Sequence, residues 1–170
     1  GVTTFTSNVG GSAPLKILIT DEPGSVRVGA NSIKTTGLQT FNDAVDLDAD
    51  VVFESTGQGD ITFNGAINGA YNLTVNTTGT TRFNAAVGDA MPLRSLTTNA
   101  GGMVLIDTAS VQTTGTQTFH DMVSLIGNNT LTGSSVTFNQ AVMSAGNLSV
   151  VGQAVLNAGT VNTSGAQHYS

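Results

Sequence analysis

Three aspartates at alternate positions, Asp46, Asp48 and Asp50 in the stretch DLDAD, form the densest group of titratable side chains in this 170-residue sequence. On an extended strand, alternation sends Leu47 and Ala49 to one side and the three carboxylates to the other, about 7 Å apart. Calcium takes six to eight oxygen ligands, so such a row is a candidate calcium site. The corresponding positions 78 residues later are Ser124, Ile126 and Asn128, so the acidic row is not propagated along the chain. The glycine-rich GGxGxDxUx signature of calcium-binding rolls is also missing. The three aspartates therefore read first as a solvated acidic face and only second as a metal site.

Other chemistry finds fewer handholds. Acid–base hydrolysis needs carboxylates facing each other across a groove, and cation-assisted lyase chemistry needs Arg or Lys beside them. Here the cations, Lys16, Arg27, Lys34, Arg82 and Arg94, are scattered through five places. Asp43 and Asp121 occupy equivalent positions two residues after a phenylalanine and read as turn residues bonding local backbone. His120 and His168 fall at different repeat positions, so no shared histidine pair is expected. The expectation is a non-enzyme with no cofactor and no catalytic, cofactor-binding or metal set. The chain has no cysteine, which excludes disulfides and thiolate sites. Five Lys+Arg against 11 Asp+Glu give a net charge of −6, the wrong sign for nucleic acid or anionic membranes. No apolar run approaches the roughly 18 residues of a membrane span, so membrane insertion is not expected.

The elements that must carry these residues follow from repetition. Offset by 78 positions, residues 1–49 pair with 79–127 without a gap, and 21 of the 49 pairs are identical, among them IKTTGLQTFNDAV over VQTTGTQTFHDMV. The match continues to about residue 152, giving long repeats 1–78 and 79–152 and the start of a further coil at 153–170, all within one domain, 1–170. A shorter unit, F-x-x-x-[VI], recurs at Phe5, Phe41, Phe63, Phe83, Phe119 and Phe138. SVRV at 25–28 and MVLI at 103–106 fill the two long gaps, giving about nine rungs of 18–22 residues. Apolar residues alternate within a rung, as in Ile61, Phe63 and Leu73, Val75, which is the period of a strand. Turn residues separate these short strands, and Gly37, Gly57, Gly79, Gly115 and Gly165 fall at equivalent corners where a positive φ is the expected demand. No helical period is present. A propeller blade needs about 40 residues and a leucine-rich repeat needs its own frame, whereas a parallel β-helix needs short strands every 18–25 residues. Equivalent residues should then stack coil on coil, with the six phenylalanines as one interior ladder and Thr and Asn outside. Because TTG is a corner motif, a flat threonine plane of the ice-binding kind is not expected.

Strings such as TTGTQTFHDMV, GDITFNGAINGAYNLTVNTTGTTRFNAAVG and SVTFNQAVMSAGNLSV resemble the repeat regions of very large secreted bacterial surface proteins, the filamentous-haemagglutinin-like and autotransporter-type adhesins. The resemblance covers almost the whole chain. It implies an all-β, right-handed parallel β-helix (β-solenoid), located outside the cell on the bacterial surface, as part of a stalk or fibre. The chain starts and stops inside repeats, which suggests an excerpt of a longer array. Expected partners are neighbouring repeats or further copies of the chain, end to end, through uncapped edges, and surface glycans or matrix along the Thr/Asn-rich outer face.

Overall fold

The computed structural model describes residues 1–157 and 159–170 and contains strands and turns, with no helix among the described residues. Every strand pairing is parallel, and the chain winds as a three-sided β-solenoid. The first face carries Val2–Phe5, Ser25–Val28, Ala44–Leu47 and Ile67–Asn68, continues through a bridge at Val87, and ends with Ser110–Gln112, 129–132, 148–151 and Gln167–Tyr169. The second carries Ser32–Thr35, Val51–Ser55, Asn72–Thr77, Ser95–Thr98, Thr116–Phe119, 135–138 and 153–156. The third carries Leu18–Thr20, Gln39–Phe41, Ile61–Phe63, Thr80–Phe83, Met103–Ile106, Met122–Leu125, Val142–Ser144 and Val161–Thr163. Its eight strands, one per turn, make about eight turns where the spacing suggested about nine.

The difference in count has a definite origin. Val9 bridges Ile33, on the second face, while its counterpart Val87 bridges Ile67 and Val111, on the first. Seventy-eight residues therefore advance the chain by eleven faces, three turns and two thirds of a fourth. Each 36-residue gap between phenylalanines spans one and two-thirds turns, not two.

This corrects the expected single ladder of six phenylalanines. Phe41, Phe63 and Phe83 stack on the third face, with ring centroids 5.3 and 5.6 Å apart and planes within 10° of parallel. The next rung there is Ile106, so MVLI does supply the rung after Phe83. Phe119 and Phe138 stack 5.5 Å apart on the second face, below them Thr98. Phe5 lies on the first face under Val28 and Leu47 and is only partly buried. Phe53, outside the F-x-x-x-[VI] pattern, meets Phe41 and Phe63 edge-on at 5.0 and 5.2 Å. Inward residues on all three faces close into one apolar core.

The corner glycines also need correction. Gly37, Gly57 and Gly79 share one edge of the prism, but Gly115 and Gly165 stand on the other two, and none of the five has positive φ. What they require is closeness between coils. A Cβ on Gly37 would lie 2.6 Å from the carbonyl of Lys16 one turn below, and one on Gly115 would lie 2.5 Å from that of Arg94. Gly57, Gly79 and Gly165 meet Thr36 O, Gln58 O and Asn147 Oδ1 in the same way.

The TTGxQ motif is a polar brace inside that corner. Thr35 Oγ1 donates to Gly37 O at 2.6 Å, and Gln39 Nε2 reaches Ile33 O, Thr35 Oγ1 and, one turn up, Glu54 O at 2.8 Å. Thr113 and Gln117 repeat this, with Gln117 Nε2 on Thr132 O at 2.9 Å. Both glutamines are fully buried; the Nε2 donors are satisfied, while each Oε1 is buried without a hydrogen-bond partner.

Candidate functional site

The solenoid distributes the sequence-predicted acidic residues over two places. Asp46 faces outward on the first face, in register between Arg27 and Asn68. Asp48 lies just past the strand end and accepts from Arg27 Nε and a terminal guanidinium nitrogen, both at 3.0 Å. Asp50 lies further round the corner, where its two oxygens accept from Asn72 N at 2.9 Å and Asn72 Nδ2 at 2.8 Å. Those two bonds hold its carboxyl below the usual range. The row of three is thus broken by the corner, and among the described residues no three His, Asp or Glu side chains converge as a metal cluster.

Asp46 and Asp48 instead line a cleft of about 310 Å³ on the first face with Arg27, Asn68, Ala90 and Met91. Its overhang is the loop 88–92, and the loop is fixed from below. Asn68 Oδ1 accepts from Ala90 N and Met91 N at 3.0 and 3.2 Å, and Gly69 N donates to Met91 O at 3.1 Å. The equivalent loop 10–14 has the same entry, with Gly10 at φ 70° and Gly88 at φ 73°. One wall carries the Arg27–Asp48 pair and the Asp46 carboxylate, and the other carries the exposed thioether of Met91. This arrangement suits hydrogen bonding to a neutral polar molecule. It lacks a second free carboxylate to trade protons with Asp46, so no acid–base pair is assembled. The cleft escaped the sequence reading because Arg27, Asn68 and Met91 are far apart in the chain; only the fixed rise between coils unites them.

The two histidines are separate. His120 Nδ1 lies 2.6 Å from Thr98 O at a corner, and His168 is exposed on the last strand of the first face. Two of the other cations pair with acids one turn away, Lys34 with Glu54 at 3.1 Å and Arg82 with Asp60 at 3.7 Å. Asparagines stack at corners: Asn64 Nδ2 donates to Asn42 Oδ1, and Asn84 Nδ2 to Asn64 Oδ1, both at 2.7 Å.

A threonine rank does exist, although TTG does not make it. Thr74, Thr97, Thr118 and Thr137 stand in register on the outside of the second face, flanked by Val52 and Val155. The parallel row Asn72, Ser95, Thr116, Ser135 lies beside it, two residues away along each strand. Alternation hid this rank, because its members come from strands whose surrounding residues differ.

Compared with protein families, curated proteins and solved structures, the chain matches none.

Proposed function

We propose that this chain is a structural repeat module, a stiff section of the stalk or fibre of an extracellular bacterial surface protein. The observation that carries the reading is the unbroken parallel stacking on all three faces, from the first turn to the last, around a single apolar core. Stability in such a body comes from nearest-neighbour coil contacts, which makes it stiff and indefinitely extensible. The resemblance of its TTGxQxF and FNGA[VI] strings to filamentous-haemagglutinin-like and autotransporter-type adhesins supports the extracellular placement. Antibodies raised against the purified chain should label intact, unpermeabilised cells of the source organism. Labelling only after permeabilisation would overturn the surface assignment.

A second reading, end-to-end stacking into filaments, is favoured by the parallel pairing itself, because a strand of another copy can extend a parallel sheet by β-augmentation. Electron micrographs of the purified chain should then show continuous fibres a few nanometres wide. Short rods, with monomeric sedimentation at all concentrations, would remove this reading. The uncharged hydroxyl rank of the second face favours a third activity, weak binding of glycan or matrix, for which a glycan array is the direct assay.

A further inference from the structure

One place in the first repeat is rewritten in the second, and the change is chemical rather than structural. Arg27, Asp46 and Asn68 stand in register on the outside of the first face, on three successive coils about 4.8 Å apart. Their counterparts Leu105, Ser124 and Met143 stand in the same register on the third face, and Ile126 takes the place of Asp48. The hollow survives the exchange, since Ser124, Ile126 and Met143 line one of their own. Coil stacking therefore requires neither charge nor amide at these positions. The polar set beneath the loop 88–92 is available for something other than folding.

Three groups of that set are left over. Arg27 gives Nε and one terminal nitrogen to Asp48, which fixes the guanidinium and leaves its second terminal nitrogen. Asn68 Oδ1 accepts from Ala90 N and Met91 N, which fixes the amide and leaves Nδ2. Asp46, between them in register, takes no part in the ion pairs found among the described residues. Up the column the spare groups read donor, acceptor, donor. A hydroxyl both donates and accepts, so adjacent hydroxyls on one ring can give protons to Asp46 while their oxygens accept from Arg27 and Asn68. A cation would find one spare carboxylate beside a guanidinium, and an anion would meet two carboxylates. Ala90 and Met91 close the cleft with a methyl group and a thioether, which suit the C–H side of such a ring. We propose that this cleft binds one ring of a neutral saccharide through neighbouring hydroxyls. Its volume, about 310 Å³, stands at the small end of the roughly 300 to 1,000 Å³ that ligand sites span, which suits a single ring. One ring in an open cleft makes few contacts, so Kd belongs to the millimolar range. The site lies on the first face and stands or falls apart from the hydroxyl rank of the second.

The test is an amide NMR titration of the ¹⁵N-labelled protein with the methyl glycosides of glucose, galactose and mannose, each raised to about 50 mM, well past a millimolar Kd. At least one should give saturable shifts at the Ala90 and Met91 N–H groups and the Asn68 side-chain amide, with Thr97 and Thr118 unmoved. Asp46→Ser should weaken binding about tenfold or more, the effect of losing a charged hydrogen-bond partner. The double change Arg27→Leu with Asp48→Ile should do the same. Both variants install residues that the second repeat carries at the equivalent positions, and amides remote from the cleft report that the fold is intact. A fully O-methylated glycoside, which has no hydroxyl to donate, should leave the cleft unshifted. No saturation with any of the three glycosides overturns the site, and so do shifts that survive both variants or that the O-methylated glycoside reproduces. Saturation of the same amides by n-butylammonium chloride alone overturns it in favour of a cation. Shifts confined to Thr97 and Thr118 overturn the cleft while supporting the hydroxyl rank of the second face.

Discussion

Residues 33–45 and 111–123 are nearly the same thirteen residues, yet they lie on different sides of the prism. In the first repeat, TTGLQTF turns from the second face to the third, and Phe41 enters an aromatic column with Phe63 and Phe83. In the second, TTGTQTF turns from the first face to the second, and Phe119 sits on Thr98 with Phe138 above. The local structure is identical, down to the Gln brace and the Thr Oγ1 to Gly O bond. The motif therefore encodes a strand, a corner and a strand, and is indifferent to which face it occupies. What differs is the company each side chain keeps, and with it the energy of that side chain.

The largest expected effect tests that difference directly. Phe63 is sandwiched between Phe41 and Phe83 and touched edge-on by Phe53, while Phe119 has Phe138 as its one aromatic contact. Phe63→Ala should cost about 3 to 5 kcal/mol, the range for removing a buried aromatic. Phe119→Ala should cost about 1 to 3 kcal/mol less, because each aromatic pair adds about 0.5 to 1.5 kcal/mol beyond burial. Equilibrium denaturation of both variants decides it. Equal losses would mean that the two columns are energetically alike and that face identity carries no weight.

How much of this was legible before the fold was known follows from what strands encode. Alternation placed Ile61, Phe63, Leu73 and Val75 inward, and all are buried. The period near 20 indicated a β-solenoid, and the turn residues separated its strands. Stacking was harder, because it depends on where each corner falls, and two loops with counterparts at 10–14 and 88–92 lengthen the path without adding a face. A 78-residue repeat invited the assumption that equal residues lie above each other; eleven faces do not divide by three, so they do not. The acidic row failed for a related reason. The strand ends at Leu47, and the corner that follows sends Asp48 to Arg27 and Asp50 to Asn72. Asp43 and Asp121, which the spacing presented as equivalent turn residues, differ in their partners: Asp121 accepts from Gly102 N, and Asp43 Oδ1 is buried without a partner.

A second, smaller effect compares the brace with itself. Gln117 is fully buried and bonded to the carbonyls of Val111 and Thr132, whereas Gln167, in the same motif, is exposed on the last turn. Truncating Gln117 to Ala removes donors from buried carbonyls and opens a small void, and should cost about 1 to 3 kcal/mol. Truncating Gln167 should change stability by less than about 0.5 kcal/mol, as surface substitutions do. A large loss at Gln167 in dilute solution would show that its amide is already enclosed there, as it would be by a neighbouring copy.

The smallest effect is a pH dependence at Asp121. Burial raises its carboxyl above the ordinary value of 3.8, and the N–H groups of Gly102 and Gly101, with the nearby His120, only partly offset this. A carboxyl whose folded pKa exceeds its unfolded one stabilises the fold below the unfolded pKa, and that contribution is lost as pH rises through the folded pKa. At neutral pH the charged Asp121 is therefore a liability. Asparagine at this position keeps an oxygen for the Gly102 N–H and carries no charge. Asp121→Asn should accordingly gain stability relative to the unaltered protein as pH is raised from about 4 toward 7, with the difference levelling off once Asp121 is fully ionised. Paired denaturation curves across that range measure it. A difference that stays flat, or one that grows as pH falls, would mean that the two glycine N–H groups outweigh burial and that the corner of the second repeat is built to hold a carboxylate.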